Sequence, residues 1–314
     1  MTTSKSISTI SIVIVTWNGK KYALECLDSL RALGSATNIE VVVVDNASTD
    51  GTPQAIREHY PEVRLIQNEA NLGFAKANNI GIREASGSYV CLVNSDVVVP
   101  PGCLEKMTDY MEAHPGIGVL GPRMRAPDGG TGLSVMKVPT VWNSLCCALG
   151  NHRGGYMMED FSYDNTEDVE VLTGWFWMVR KTALDEVGGL DERFFMYGED
   201  IDWCYRFTKG GWRVVYYADA EALHYGAASS NNAPVRFYVE MHRANLQCFR
   251  KHHGALASGA FILVTWLHQL VRLAGYGALF VLRPCKRSSA ELKIQRSLSC
   301  LGWLADGAPG GRAQ

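Results

Sequence analysis

The sequence lacks the features that identify several common classes of protein. Its 314 residues include nine cysteines but no Cys-x-x-Cys pair, which argues against a zinc ribbon, and their scatter argues against a disulfide scaffold. Thirty basic residues against 32 acidic ones leave a net charge of −2, whereas a general nucleic-acid binder is normally basic. The first apolar run, residues 10–15, is too short for a signal peptide. These absences favour a reduced, cytoplasmic protein with no nucleic-acid partner.

The first hundred residues alternate between strand and helix patterns. Continuous apolar runs, typical of buried parallel strands, occupy residues 11–15, 40–45, 63–67 and 89–94. Helical spacing of apolar residues or helix-capping residues follow the first three runs. This alternation predicts an α/β fold with a mostly parallel central sheet covered by helices on both faces.

Polar residues follow the predicted strands where a dinucleotide-binding protein would have glycines. The sequence has Gly19 after the first strand but no Gly-x-Gly-x-x-Gly, so a nicotinamide-dependent dehydrogenase is not expected. The polar strand-end residues are Thr16, Asn18, Asp45, Asn94, Ser95 and Asp96. Ligands of open parallel sheets bind at the carboxyl ends of the strands, so we expect a site there. Taken singly, each of these residues could be a helix cap or a turn former, and this is the interpretation that we favour for Asp50.

Several ordered motifs resemble those of family 2 glycosyltransferases, in particular bacterial rhamnosyl- and galactofuranosyltransferases. They are Ser11-Ile-Val-Ile-Val-Thr-Trp-Asn-Gly19, Val43-Val-Asp-Asn-Ala-Ser-Thr-Asp-Gly51, Asn71-Leu-Gly-Phe-Ala-Lys-Ala-Asn-Asn79, Asn94-Ser-Asp96, Thr173-Gly-Trp175, Gly198-Glu-Asp-Ile-Asp-Trp-Cys-Tyr-Arg206 and His224. The resemblance covers residues 10–250 and implies the GT-A fold. It also implies a nucleotide-sugar donor that lies across the strand ends.

The resemblance implies roles for the strand-end residues. Thr16, Asn18 and Asp45 would surround the nucleoside, with Asp45 accepting a hydrogen bond from the pyrimidine N–H. The remaining implied donor-binding residues are Lys76, Asn78, Asn94, Ser95 and Asp96. Asn94 replaces the first carboxylate of the usual Asp-x-Asp motif, which leaves Asp96 as the strong anionic ligand for Mg²⁺ or Mn²⁺. The alternative interpretation of Asp96 is a helix cap.

His224 and Trp175 each have a structural and a functional interpretation. A lone histidine is usually structural, but the resemblance places a metal-binding histidine near position 224, and imidazole suits Mn²⁺ better than Mg²⁺. Trp175 is predicted to bind the acceptor by stacking, although it could be a core residue, as we expect for Trp177.

A second group of carboxylates occurs in a predicted helix. Asp200 lies in its first turn, where the helix dipole favours the ionised form that a general base requires, and the resemblance also implies that it is the base. Glu199 is predicted to position the donor or the acceptor. Trp203 shares a helix face with Asp200 and is a second predicted acceptor-binding residue. Asp202 is four residues before Arg206, a spacing that favours a structural ion pair over catalysis.

The apolar C-terminal segment is predicted to be a helix with a narrow polar stripe. On a helical wheel Ser258, Thr265, His268, Gln269, Arg272 and Tyr276 fall on one arc. Arg272 interrupts a span, and Arg283, Lys286 and Arg287 follow, which favours a helix in the membrane interface. A soluble core or oligomer contact and a spanning helix remain alternatives. This pattern also predicts that truncation after His253 yields a more soluble protein.

The sequence therefore predicts an N-terminal tail, one catalytic domain with two halves, an amphipathic segment and a second tail. Their bounds are 1–9, 10–253 (donor-binding half 10–100, acceptor half 101–253), 254–287 and, partly disordered, 288–314. The predicted function is an inverting, metal-dependent glycosyltransferase that works at the inner face of the cytoplasmic membrane in surface polysaccharide or O-antigen synthesis. It would move a sugar, most simply rhamnose from dTDP-rhamnose, to a glycan or lipid-linked acceptor. A sugar-1-phosphate nucleotidyltransferase and a non-catalytic sugar- or membrane-binding scaffold are the alternatives.

Overall fold

The computed structural model describes all residues except 1–8, 35–37, 152–154, 157, 159, 227–232 and 310–314. The expected N-terminal tail therefore lies almost entirely outside the described residues. So do the last five residues of the expected C-terminal tail.

Strands and helices alternate through the first hundred residues, as the sequence predicts. The strands are β1 (Ile10–Thr16), β2 (Ile39–Asp45), β3 (Arg64–Gln67), β4 (Tyr89–Asn94), β5 (Val97–Val98), β6 (Ile117–Arg125), β7 (Val135–Met136), β8 (Glu167–Asp168), β9 (Val171–Leu172), β10 (Phe176–Arg180) and β11 (Arg213–His224). The helices are α1 (Lys20–Arg31), α2 (Thr52–His59), α3 (Phe74–Glu84), α4 (Cys103–Ala113), α5 (Val141–Ala148), α6 (Lys181–Val187), α7 (Glu199–Lys209), α8 (Pro234–His252), α9 (Gly254–Leu282) and α10 (Arg287–Ala305).

One large sheet forms the centre of residues 10–224. Its strand order is β3-β2-β1-β4-β10-β6-β11-β5, with β8 paired to β11. Strands β1 to β4 are mutually parallel, β10 runs antiparallel between β4 and β6, and β11 is parallel to β6. The apolar runs that identify β1, β2 and β4 are buried, because helices cover both faces of the sheet. The mostly parallel α/β architecture that the sequence predicts is confirmed.

Helices α8 to α10 pack against one another and also contact α5 and α7. In this part of the chain the structure corrects the sequence analysis. Residues 287–305 form a helix instead of a tail, and Trp303 packs in one apolar cluster with Leu246 and Phe249 of α8. The apolar residues of α10 are sparse, and tertiary packing rather than local propensity stabilises such a helix. The local pattern therefore did not reveal it.

Helix α9 turns its polar stripe toward the protein. Ser258, Thr265 and Gln269 are buried, and Gln269 contacts His242 and Tyr238 of α8 by hydrogen bonds of 3.1 Å. The opposite face is apolar and exposed along the length of the helix, at Leu256, Leu263, Leu267, Leu270, Val271, Val281 and Leu282. Within the described part of the chain, α9 is the one helix long and apolar enough to cross a membrane.

Candidate active site

The carboxyl ends of β1 and β2 place two polar side chains next to each other. Thr16 and Asp45 are partners in the parallel register, and both are buried. Thr16 Oγ1 and Asp45 Oδ1 have no hydrogen-bond partner among the described residues, whereas Asp45 Oδ2 accepts from the Ser48 N–H at 2.9 Å. Buried oxygens without a partner are costly, so this edge is suited to a ligand that donates hydrogen bonds.

Hydrogen bonds tie the loops after β1 and β2 together. Asn18 has a left-handed φ of 50°, and its Oδ1 accepts from the Thr49 N–H at 2.8 Å. Asp50 accepts from the N–H of Thr52 at the start of α2 and from the N–H of Lys20 at the start of α1. Gly51 occupies the N-cap position of α2, so Asp50 is a turn former, which is one of the two structural roles that the sequence allows.

A cavity of about 610 Å³ opens beside the carboxyl end of β4. Its polar lining includes Asn94, Ser95, Asp96, Glu199, Asp200 and His224, and its apolar wall includes Met136, Phe195, Phe237 and Met241. Carboxylates that are about a hundred residues apart in the sequence, Asp96 and the pair Glu199 and Asp200, therefore face one space. A smaller cavity, about 470 Å³, lies at the amino end of β2 against α1 and contains none of these residues.

Strand pairing brings His224 to Asp96. The short strand β5 pairs antiparallel with the end of β11, with His224 opposite Val97. His224 Nε2 lies 3.1 Å from Asp96 Oδ1 and 3.5 Å from Asn94 Nδ2. A carboxylate oxygen and an imidazole nitrogen this close could hold one divalent cation, with the remaining positions left to a diphosphate and water. The described residues contain no larger group of metal-ligating side chains.

Trp175 supports His224 instead of presenting an open face to an acceptor. Its ring stacks on the imidazole with centroids 5.5 Å apart, and only 3% of the residue is exposed. The tryptophan lines the cavity, as predicted. The prediction that Trp175 stacks on the acceptor is wrong, because His224 and the surrounding core cover most of its ring.

The start of α7 aims two acidic side chains at the cavity. Tyr197 and Gly198 both have left-handed φ values, 68° and 78°, and turn the chain sharply into the helix. A side chain at Gly198 would also meet Ala244, because a Cβ there would lie 3.1 Å from the Ala244 Cβ. This turn fixes the positions of Glu199 and Asp200.

The surroundings of these two carboxyl groups shift their pKa values. Burial raises the pKa of Asp200 to about 6, although backbone N–H groups, including that of Ile201 at 2.8 Å, lower it in part. Burial and the charge of Asp200 raise the pKa of Glu199 well above its ordinary value, and Glu199 Oε2 has no hydrogen-bond partner among the described residues. Of the two, Asp200 is therefore the carboxyl group suited to act in its ionised form, whereas burial and the charge of Asp200 favour the protonated form of Glu199.

Asp202 has a structural role, as its spacing predicts. It is fully buried and accepts from Arg206 Nε at 2.9 Å, from Lys251 Nζ at 2.5 Å and from His252 Nε2 at 2.7 Å. The contacts with α8 could not be read from the sequence. They attach α7, which carries Asp200, to the helix that lines the cavity.

Six predicted site residues do not line the cavity: Thr16, Asn18 and Asp45, which lie at the ends of β1 and β2, and Lys76, Asn78 and Trp203. Trp203 is 1% exposed, packs against Trp177 in the core and donates from Nε1 to the Gly188 carbonyl, so its predicted acceptor contact is wrong. Asn78 is buried and donates to the Phe74 carbonyl at 3.0 Å. Lys76 is exposed on α3. Trp177 is a core residue, as expected.

Asn46 and Asn245 line the cavity but were missed. Asn46 donates to the Gly73 carbonyl at 3.1 Å and accepts from Asn68, which shapes the loop beside the cavity. Its position directly after Asp45 could have identified it. Asn245 lies on α8, far along the chain from the motifs, and its sequence carried no such signal.

Comparison with known proteins agrees with this geometry. The family model described as Glycosyl transferase family 2 matches residues 11–188. The chain is 34% identical to N-acetylglucosaminyl-diphospho-decaprenol L-rhamnosyltransferase of Mycobacterium tuberculosis (strain CDC 1551 / Oshkosh), across 78% of this chain and 85% of that protein. It is 26% identical to rhamnosyltransferase WbbL of Escherichia coli (strain K12), across 69% and 83%.

A solved structure shares the fold. Mannosyltransferase PcManGT from Pyrobaculum calidifontis, in complex with GDP-Man and Mn²⁺, matches with a TM-score of 0.58 at 18% identity, across 95% of this chain and 88% of that one. The GT-A fold that the motifs imply is thus confirmed. The chain belongs to glycosyl transferase family 2 and is a glycosyltransferase.

Proposed function

We propose that this glycosyltransferase moves rhamnose from dTDP-rhamnose to a hydroxyl of a lipid-linked glycan, with inversion at the anomeric carbon. The observation that carries the proposal is one cavity that holds both an ionisable base, Asp200, and a pair of metal-ligand types, Asp96 and His224. The names of the two rhamnosyltransferase relatives support the donor sugar. The diphospho-decaprenol in the name of the mycobacterial relative supports a lipid-linked acceptor.

The donor nucleoside would bind at the ends of β1 and β2. Asp45 Oδ1 is buried without a partner among the described residues and can accept the N–H of a thymine ring, while Thr16 Oγ1 beside it can bond to the same ring. Such a ligand would supply the hydrogen bonds that these buried atoms lack. Asn18 and the adjoining loop would flank the nucleoside.

Asp96 and His224 would hold a divalent cation, Mn²⁺ or Mg²⁺, at the donor diphosphate. When bound, such a cation stabilises the negative charge that develops on the leaving diphosphate. The Mn²⁺ in the mannosyltransferase complex supports a metal in this fold. Stacking on Trp175 would keep the imidazole of His224 oriented toward Asp96.

Asp200 would act as the general base. Its carboxylate accepts the proton of the acceptor hydroxyl, whose oxygen forms a bond with the anomeric carbon of the sugar. The bond from that carbon to the diphosphate oxygen breaks on the opposite face, and dTDP leaves. Burial and the charge of Asp200 raise the pKa of Glu199, and in its protonated form Glu199 would donate a hydrogen bond that positions the acceptor or the donor.

The exposed apolar face of α9 would hold the enzyme at the inner face of the membrane. Leu256 is 94% exposed and Leu263 is 70% exposed, and the same face continues to Val281. Because the polar stripe of α9 already packs against α8, the apolar face is the side left for lipid. Contact along the length of the helix fits an interfacial position better than a span.

The proposal can be tested with the purified protein. It is incubated with a panel of nucleotide-sugars and a short-chain prenyl-diphospho-sugar acceptor. We expect dTDP release and a rhamnosylated product with dTDP-rhamnose, and both at least about a hundredfold more slowly with the Asp200→Asn variant. A preference for another donor would overturn the sugar assignment. Formation of a nucleotide-sugar from dTTP and a sugar-1-phosphate would instead favour the nucleotidyltransferase alternative, which family membership already disfavours. Absence of any turnover would favour the scaffold.

A further inference from the structure

Three cations on α9 and α10 gather around two tyrosine rings near the start of α8. Arg272 lies over Tyr238 and Tyr276, with its Cζ 5.2 Å and 5.0 Å from the ring centroids. Lys293 lies 4.7 Å from the Tyr276 centroid, and Arg296 lies 5.9 Å from that of Tyr238. We call these three cations, with the two tyrosines, the cation cluster.

The cation cluster has no counter-ion within the described part of the chain. No described carboxylate lies within ion-pair distance of any of the three cations. Their polar contacts are with neutral groups, since Arg272 donates to Ser297 Oγ and Arg296 donates to the Pro234 carbonyl. All three are half-buried, although partly buried cations are usually paired with acidic groups. Like charges held together on aromatic rings provide a site for an anion.

The position of the cation cluster indicates which anion it binds. Arg296 contacts the first residue of α8, and Tyr238 directly follows Phe237, which lines the active-site cavity. Arg272 and Tyr276 belong to the inward stripe of α9, whose opposite face is the exposed apolar surface. The cluster therefore lies between the catalytic cavity and the surface that we assign to lipid.

We propose that the cation cluster binds the diphosphate of a polyprenyl-diphosphate acceptor. This inference rests on the proposed function and adds the site for the charged part of its acceptor. Guanidinium groups recognise phosphate oxygens through paired N–H donors, and Lys293 adds a third positive charge. With the diphosphate held there, the isoprenoid chain would follow the apolar face of α9 while the sugar enters the cavity toward Asp200.

The exposed cations at the turn between α9 and α10 provide a matched control. Arg283 and Lys286 carry the same charge as two members of the cluster but are exposed, and neither contacts the ring of Tyr238 or Tyr276. General attraction to an anionic lipid surface would depend on them as much as on the cluster. A specific diphosphate site would not.

Binding of farnesyl diphosphate to the full-length protein tests the proposal without any need for turnover. The titration is done in detergent with saturating dTDP and a chelator, so that the donor site cannot account for the signal. We compare wild type, the Arg272→Gln/Lys293→Gln variant and the control Arg283→Gln/Lys286→Gln. Farnesol and inorganic diphosphate show what the chain and the charge contribute separately. In a second experiment we measure binding of the same variants to vesicles of phosphatidylcholine with and without phosphatidylglycerol.

We expect binding at least about tenfold weaker in the cluster variant and nearly unchanged in the control, with binding to wild type weakened by salt. Circular dichroism and dTDP affinity show whether the cluster variant is folded. If it is not, Lys293→Gln alone, which removes only a contact with an aromatic ring, must still weaken binding. Equal affinity in wild type and the cluster variant would overturn the proposal. So would tight binding of farnesol, or an effect confined to phosphatidylglycerol vesicles. Transfer to an acceptor without a phosphate would still proceed in the cluster variant, which separates this result from a failure of the proposed function.

Discussion

Asp200 combines burial with backbone hydrogen bonds, and the result is a carboxylate that titrates close to neutrality. Asp200→Asn keeps the shape of the side chain but removes its ability to accept a proton. We expect turnover to fall by about 10²- to 10⁴-fold with little change in donor affinity, measured by steady-state kinetics and dTDP binding. Glu199→Gln is the matched control and is expected to lose less, because Glu199 is proposed to position a substrate and not to accept the proton. An Asp200→Asn variant with turnover close to that of wild type would show that another residue is the base.

The raised pKa of Asp200 also predicts the pH dependence of catalysis. Because the base works only when ionised, kcat/KM is expected to rise with pH and to level off above about 6. Asp200→Asn should lack this rise. A profile in wild type that is flat from pH 5 to 8, a range chosen to bracket the pKa at about 6, would contradict the role of Asp200 as base.

The same shift predicts an effect on folding stability. A folded-state pKa above the unfolded value of 3.8 means that the folded protein binds this proton more tightly, so the stability that the carboxyl group contributes is present at low pH and lost as pH rises through about 6. Asp200→Asn removes the buried charge, so we expect a higher free energy of unfolding in the variant at pH 8 than in wild type. Denaturant titration at pH 8 and at pH 4 measures the difference, which should shrink at the lower pH. A variant less stable than wild type at pH 8 would argue against a buried charged group.

The proposed metal site at Asp96 and His224 can be tested by removing the Asp96 carboxylate. Asp96→Ala removes the one carboxylate among the strand-end ligands near His224, so Mn²⁺ should no longer strengthen dTDP binding, while the thermal unfolding transition remains. Calorimetric titration of dTDP with and without Mn²⁺ measures this. Asp219→Ala, which removes an exposed carboxylate from the same strand as His224, serves as the control. Equal strengthening by Mn²⁺ in wild type and Asp96→Ala would place the metal elsewhere.

At the scale of elements, α9 has an inverted polarity for a helix on a protein surface. Its polar residues contact α8 and α10, and its leucines point outward. Burial of apolar area in lipid is worth about 25 cal/mol per Å², so a row of exposed leucines gives substantial membrane affinity. Salt does not screen this contribution, so washing with salt should release only part of the bound protein.

Leu267→Glu/Leu270→Glu tests the exposed face directly. Both side chains are exposed, so the two charges should leave the fold intact but prevent binding to vesicles of phosphatidylcholine and phosphatidylglycerol. Gln295→Glu/Ser299→Glu on α10 adds the same charge at exposed polar positions and should bind nearly as wild type. Sedimentation with vesicles distinguishes the two. If both variants bind alike, the face contacts protein instead of lipid.

At the scale of the whole molecule, α8 to α10 form part of the folded body. Leu246 and Phe249 of α8 are buried against Phe261 and Trp303, and α8 also lines the catalytic cavity. The expectation that truncation after His253 improves solubility is therefore corrected, because truncation would expose this cluster. We expect the truncated chain to be less stable and poorly soluble, measured by expression yield and thermal unfolding. A soluble truncated enzyme with full donor turnover would show that the cluster is dispensable.

Local patterns determined much of the site. Continuous apolar runs identified the parallel strands, and the polar residues that follow them, Thr16, Asp45 and Asp96, marked the edge of the sheet where we propose that the donor binds. The pairing of Asp202 with Arg206 followed from helical spacing alone. These features depend on neighbours within a few residues, which the sequence displays directly.

The tertiary structure decided which face of each element meets which neighbour. Trp203 lies three residues after Asp200 and so was expected to share its helix face, but core packing against Trp177 buries it. The polar arc of α9 was correct in the sequence analysis, yet only its packing against α8 shows that the arc points inward and the leucines outward. Helix α10 exists because Trp303 and its neighbours bury apolar surface against α8. A helical wheel gives the composition of a face but not its direction, because direction depends on contacts between residues distant in the chain.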